Sequence, residues 1–179
     1  MHILVIAAVD FELEVARRVW RGDNVTFLRG GVGAGQTRQA LEPLLSNGSF
    51  DRVLDIGIAG AYGPELPLGA VVHVTAERHA DGDGVLLHNP APWPELAFLP
   101  TATGNTLQVL EDRFRTAPAD VESMEGAAFF EACLRSGTPF AEVRAVSNLV
   151  GEKDHAKWDI PLALKNLQQA LETLKNVLK

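Results

Sequence analysis

Several kinds of chemistry are missing from this sequence, and each absence narrows what it can do. It has a single cysteine, Cys133, so no internal disulfide can form, which fits a reducing cytoplasm. The apolar neighbours of that thiol read as core rather than as a nucleophile's surroundings. No apolar run approaches the roughly 20 residues that cross a bilayer. The opening Met1–Val9 is apolar but has no basic stretch or cleavage site, and Asp10, Glu12 and Glu14 follow at once; it reads as a first strand, and a cytoplasmic location is expected. There is no block of like charges, and the net charge of −7 argues against a nucleic-acid footprint or a membrane surface, leaving a small molecule as the expected partner. His2, His73, His79, His88 and His155 show no metal-ligand pairing, so no metal is expected. Ser147 lacks the G-x-S-x-G frame of a serine hydrolase. The glycines at 30, 31, 33 and 35 lack the last glycine of G-x-G-x-x-G; the run reads as a tight strand-to-helix turn, and no cofactor is expected.

What is present is a chain of 179 residues, 46% apolar, which fits a single domain over 1–179 with a substantial core. Periodicity predicts a strand at 3–9, a helix at 11–20 with Phe11, Val15, Val19 and Trp20 on one face, a short strand Val25–Leu28 and a helix from Gln36 to Ser46. Arg52–Ile58 is near-continuously apolar except for Asp55, as in a strand covered on both faces. A second small-residue turn, Ala59–Gly63, and a strand Gly69–Thr75 come next; 78–100 reads as an irregular excursion closed by Ala102–Gly104. Residues 126–135 form a mostly buried helix, Phe140–Val146 a strand, and 161–179 a helix with a leucine stripe that reads as a core face, being too short for a coiled coil. Strands alternating with helices imply an α/β fold, three layers around a mixed, mostly parallel central sheet.

Two polar residues interrupt apolar runs. Glu125 precedes the small-residue helix opening Gly126-Ala127-Ala128, where an acid is either a cap or a ligand group. Asn148 lies where the strand from Phe140 ends, either an ordinary turn residue or a group facing a ligand beyond the strand's carboxyl end. Glu12, near the start of a helix, reads by itself as a solvated acid on the helix dipole. Trp158 fits a core tryptophan or a pocket wall.

Ser123-Met124-Glu125-Gly126 followed by Arg144-Ala145-Val146-Ser147-Asn148 resembles the purine nucleoside phosphorylase and nucleosidase superfamily, whose members carry a Met-Glu pair for the ribose. Within it, the run Glu122–Phe130, then Ser147-Asn148, then Trp158, is most similar to the futalosine hydrolases of the alternative menaquinone pathway. The resemblance implies the nucleoside phosphorylase-like fold, metal-independent hydrolysis of futalosine with release of hypoxanthine, and a homodimer. It implies Glu12 as the base that activates water, Glu125 as the grip on the ribose hydroxyls and Asn148 as the leaving-group residue. Val9, Ala59, Gly60, Leu107, Met124, Glu125 and Trp158 become substrate-binding residues, with Lys153, His155 or Arg144 meeting a carboxylate at the 5′ end. In adenine-specific relatives an Asp stands at the position of Asn148; an amide can donate to O6 and accept from a protonated N7, which complements hypoxanthine. Where phosphorylases often place a phosphate-binding Ser this chain has Ile58, and Val9–Glu12 has no arginine of a phosphate loop, so hydrolysis is expected over phosphorolysis. A phosphorylase, a methylthioadenosine-type nucleosidase and a catalytically silent nucleoside-binding module are the competing readings; the last draws on the short 78–100 region, where relatives often carry a longer stretch with site residues and subunit contacts.

Overall fold

Alternation along the first strand sets up two cores. In the computed structural model, which describes residues 1–22, 24–109 and 118–178, every residue of β1 (Ile3–Ala7) is buried. Ile3, Val5 and Ala7 join one cluster, and Leu4 and Ile6 another on the opposite face. Helix α1 (Asp10–Val19) turns Leu13, Val15, Ala16 and Val19 toward the first cluster. The strand β2 (Val25–Arg29) and helix α2 (Ala34–Ser46) follow, and α2 packs Leu41 and Leu45 on the second. Next come β3 (Arg52–Ala61), β4 (Val71–His79), a two-residue β5 (Leu87–His88), a 3-10 turn at Pro94–Leu96, β6 (Thr101–Thr106) and β7 (Val121–Ser123). Helix α3 (Gly126–Ser136), β8 (Phe140–Leu149) and α4 (Ile160–Val177) complete the chain; Asp159 caps α4 by accepting from the Leu162 amide.

Five of the eight strand pairings among the described residues are parallel, as a mixed, mostly parallel sheet requires. β2, β1 and β3 form an open parallel ladder. Beyond β3 the sheet is no longer open: β3 pairs β8, β8 pairs β4, β4 pairs β6, β6 pairs β7, and β7 returns to β3 at Gly60 and Ala61. Five strands thus close a small ring. Its interior holds Ala59, Ala61, Val72, Val74, Ala102, Val121 and Val146, at least one from each of the five strands, because a narrow ring has room only for small side chains.

This closure corrects three expectations. The small residues at 59–61 do not make a turn; they continue β3, with Ala59 and Ala61 packed in the ring's interior and Gly60, on the other face, lining the cavity described below. Ala102–Gly104 is part of a six-residue strand, and within 78–100 lie the end of β4, the β5 hairpin partner and a 3-10 turn. The last strand does not stop at Ser147: Asn148 lies within β8, opposite Gly60, just past a register shift between Ala59 and Gly60.

Candidate active site

Three strand ends and one helix start converge on a cavity of about 440 Å³. α1 begins beside the carboxyl end of β1 and brings Glu12 in. The carboxyl ends of β3 and β8 bring Ala59, Gly60, Ser147 and Asn148, and the β7–α3 junction brings Glu122, Ser123, Met124 and Glu125. Val9 and Ile58 line the same space, and Phe11, Val32, Lys153, His155 and Trp158 form its outer rim. Of the residues expected at a site, Glu12, Glu125, Asn148, Val9, Ala59, Gly60, Met124 and Trp158 all line it. Leu107 does not: it is fully buried just past β6, bonded through its amide to the Ser123 carbonyl, so that assignment is withdrawn.

Glu125 is the N-cap residue of α3, yet its side chain does not cap that helix. One oxygen accepts from the Gly33 amide at 2.8 Å, across 92 residues of sequence, and the other from the Met124 amide at 3.3 Å. The capping alternative therefore fails, and the glycine turn before α2 holds the acid in place. Two backbone donors fix the carboxylate while its cavity side stays open to a sugar diol.

Glu12 is 4% exposed. Its Oε1 accepts from the Ile58 amide at 2.9 Å and its Oε2 from the Val9 amide at 3.3 Å. Burial raises its pKa above the ordinary carboxylate value, the Ile58 hydrogen bond and the charge of Arg144 pull it back, and the nearby Glu125 adds to the rise. A raised pKa makes a stronger base, so the carboxylate could take a proton from a water beside it. Gly57 is what allows the approach of Arg144: a side chain there would meet both the Arg144 guanidinium and, at 3.0 Å, Glu12 Oε1.

Asn148 is 7% exposed. Its Oδ1 accepts from the Ser147 hydroxyl at 2.8 Å, and its Nδ2 donates to the Leu149 carbonyl at 3.1 Å. Ser147 thereby fixes which way the amide faces. Across Gly60, which has no side chain to separate them, lie Asn148 Nδ2 and Glu122 Cγ, 3.1 and 3.3 Å from where a Cβ would stand. Glu122 escaped the sequence reading because it sits in a three-residue strand with no visible period; its signal was an acid two residues before Met124.

Trp158 is half-buried, donates from Nε1 to the Glu152 carbonyl at 3.2 Å and rests against the His155 ring at 4.4 Å between centroids, so it is a rim residue and not a core tryptophan. Of the three cations considered for a 5′ carboxylate, Lys153 and His155 reach the cavity. Arg144 does not: it is 1% exposed and held by Asp55 and Glu142. Cys133 is a free, fully buried thiol whose pKa burial pushes up, the opposite of an activated nucleophile. Among the described residues, no helix is long and apolar enough to cross a membrane.

Residues 97–179 match the Phosphorylase superfamily. A futalosine hydrolase of Streptomyces coelicolor is 31% identical over 100% of this chain and 97% of its own length. A 5'-methylthioadenosine/S-adenosylhomocysteine nucleosidase of Lysinibacillus sphaericus is 25% identical over 96% and 97%. The alignment with the Streptomyces relative runs over 228 positions against the 179 residues here, so that relative carries segments this chain lacks. In three dimensions, a mutant futalosine hydrolase of Helicobacter pylori superposes with a TM-score of 0.85 over 99% of this chain and 100% of that one, at 14% identity. A match of that extent at 31% identity, on the α/β fold of these nucleosidases, settles the kinship: the chain belongs to the phosphorylase superfamily, among its nucleosidases, and is a hydrolase of N-glycosidic bonds.

Proposed function

We propose that the chain, read as one nucleosidase-like domain over 1–179, hydrolyses the N-glycosidic bond of futalosine, releasing hypoxanthine and dehypoxanthine futalosine for menaquinone synthesis in the cytoplasm. The observation that carries the reading is the meeting of Glu12, Glu125 and Asn148 around one cavity. Breaking the bond builds positive charge on the ribose and negative charge on the base, so rate comes from groups that stabilise both. Glu125 accepts from the ribose hydroxyls and sets a negative charge beside the forming oxocarbenium ion. Glu12 takes the proton of the attacking water. Ile58 offers a phosphate no side-chain donor, and its amide is already bonded to Glu12, which favours water over phosphate as the nucleophile.

The base is read at the wall around Gly60. Asn148 donates to O6 and accepts from a protonated N7, while Glu122 supplies an acceptor for the N1 hydrogen of a 6-oxopurine. Adenine presents a lone pair at N1 and a donor at C6, so it meets a mismatch at both positions. One mismatched buried polar pair costs about 1–3 kcal/mol, enough for roughly tenfold to a hundredfold discrimination. A methylthioadenosine-type substrate is the second reading, favoured by the apolar rim of Phe11, Val32, Met124 and Trp158 and by the Lysinibacillus relative. Phe11 and Val32 are 48% and 47% exposed at that rim, and a second copy of the chain would cover them in a homodimer.

The deciding assay measures base release from futalosine, inosine and methylthioadenosine, each with and without phosphate. The expected result is release of hypoxanthine without phosphate, futalosine being preferred. Asn148→Asp should move the preference toward the adenine nucleoside by about tenfold or more. A wild-type enzyme that prefers methylthioadenosine would end the futalosine reading, and a requirement for phosphate would end the hydrolytic one.

A further inference from the structure

Beneath the cavity, where the strand ring meets the first turn of α3, four ionisable side chains are buried together. Asp55 on β3, Glu77 on β4, and Glu142 and Arg144 on β8 are each 2% exposed or less. Three acids against one guanidinium leave an excess of negative charge if all are ionised, and an uncompensated buried charge costs several kcal/mol. Among the described residues, neither Glu77 Oε1 nor Glu142 Oε2 has a hydrogen-bond donor.

The hydrogen bonds around Glu77 fix where a proton must be. The Ala127 amide donates to Thr106 Oγ1 at 2.7 Å, and the hydroxyl in turn donates its one hydrogen to Glu77 Oε2 at 2.8 Å. That oxygen is therefore an acceptor, and a proton on Glu77 belongs on Oε1. A side chain at Gly126 would collide with Glu77 Oε1 and lie 2.9 Å from Glu142 Oε1; the two carboxyl groups converge on the point that this glycine leaves empty. Glu142 Oε1 also accepts from Arg144 Nε at 2.6 Å, and Arg144 Nη2 is bonded to Asp55. With Nε and Nη2 both engaged, Nη1 is the nitrogen at Gly57, on the side of Glu12.

We propose that Glu77 is a neutral carboxylic acid whose Oε1 proton is shared with Glu142, and that Glu142 and Asp55 clamp Arg144 beneath Glu12 as positioning residues for hydrolysis. Burial and the neighbouring Glu142 both raise the pKa of Glu77, the direction this assignment needs; burial raises Asp55 and Glu142 as well, so the choice among the three acids rests on the bonds that Asp55 and Glu142 make to the Arg144 guanidinium. The other ionisable groups facing the cluster are Glu12 and Glu125 from the cavity side, which Arg144 also attracts, and the neutral thiol of Cys133 on α3, whose pKa the charge of Asp55 helps to raise. The shared proton removes one buried charge and leaves Glu142 bound to Arg144. A guanidinium fixed at two nitrogens cannot swing away as charge develops above it, so its field acts on Glu12 from a constant position.

The test combines isosteric variants with infrared spectroscopy. Glu77→Gln keeps the shape, the neutrality and a donor at the Oε1 position, so kcat should stay within about threefold of wild type, whereas Glu142→Gln removes one of the two negative charges that hold Arg144 and should lower kcat by up to about 100-fold, with KM little changed. The wild-type minus Glu77→Gln difference spectrum at neutral pH should contain the carbonyl stretch of a buried protonated carboxyl group. Absence of that band overturns the assignment, as does a Glu77→Gln enzyme as impaired as Glu142→Gln. The spectrum needs no substrate, so it decides the protonation state whichever nucleoside the enzyme hydrolyses, and it stands even if Glu142→Gln fails to fold.

Discussion

The two faces of the sheet are built from the same strands and do opposite things. On the face covered by α1 and α4, β1, β3 and β8 present Ile3, Val5, Ala7, Leu54, Ile56, Ala141, Val143 and Ala145, all in one apolar cluster. One residue along, the same strands turn Leu4, Ile6, Val53 and Phe140 toward α2 and α3. There the apolar series breaks at Asp55 and Gly57 on β3 and at Glu142 and Arg144 on β8, before resuming at Ala59 and Val146 inside the ring. The first face is packed for stability. The second gives up apolar packing over two turns of the pleat to carry charge to the carboxyl ends of the strands, where Glu12 stands. Below the cavity, up to Gly57 and Arg144, folding and chemistry are divided by the parity of the strand, and substitutions on the two parities there should fail in different ways.

The largest effect should come from the charged end. Glu12→Gln should lower kcat by about 10²–10⁴-fold, the usual contribution of a general base. Because burial raises the pKa of Glu12, folding favours its protonated form: its contribution to stability is present below the unfolded carboxylate pKa and lost as pH rises through the folded one. A neutral isostere should therefore leave the thermal midpoint unchanged or higher, while wild-type kcat declines as pH falls through that raised pKa and the base is protonated. Steady-state kinetics over pH, together with a thermal melt, check both halves. A variant that is inactive because it is unfolded would break the division at its strongest point.

The apolar parity should fail the other way. Leu54 is fully buried in the α1/α4 core, next in sequence to Asp55 but on the opposite face. Leu54→Ala should cost about 2–5 kcal/mol by leaving a cavity, read as a lower urea midpoint, with kcat of the folded enzyme within about twofold of wild type, as for a substitution that touches no reacting group. Loss of kcat comparable to that in Glu142→Gln would mean that the two faces are coupled rather than divided.

The same division explains what could be read before the structure. Elements whose contacts are local and periodic were legible: β1, α1, β2, α2, α3 and α4 stand within about three residues of the patterns that announce them. The charges of the active face were visible as exceptions, Asp55 in an apolar strand and Glu125 before a small-residue helix. Their partners were not visible, because they come from distant sequence: the Gly33 amide is 92 residues from Glu125, and Asp55 is 89 from Arg144. The ring closure was hidden for the same reason. Small residues at 59–61 read as a turn when their neighbours across β7 and β8 are unknown, and the three residues of β7 are too few to show a period. Leu107 was misplaced because a buried apolar residue beside a site and one lining it look alike in sequence.

The smallest effect belongs to a buried histidine on the apolar parity. His73 pairs with Val143 and so shares its face of the sheet; it is 3% exposed, and its Nε2 has no hydrogen-bond partner among the described residues. Burial lowers its pKa from 6.5 to about 4, since a charged imidazole there would lose its hydration without gaining a counter-ion. The folded protein holds it neutral while the unfolded chain protonates it near 6.5, so its contribution is intact above that value and is lost as pH falls through it toward about 4. His73→Leu fills the position with an apolar side chain that cannot titrate. Urea unfolding of both proteins at several pH values should show wild type losing about 1–2 kcal/mol more than the variant between about pH 7 and pH 5, with near-equal stability at the upper end. Parallel curves would mean that His73 finds a proton-compatible partner in the fold, and the face opposite the active site would then tolerate charge as the active one does.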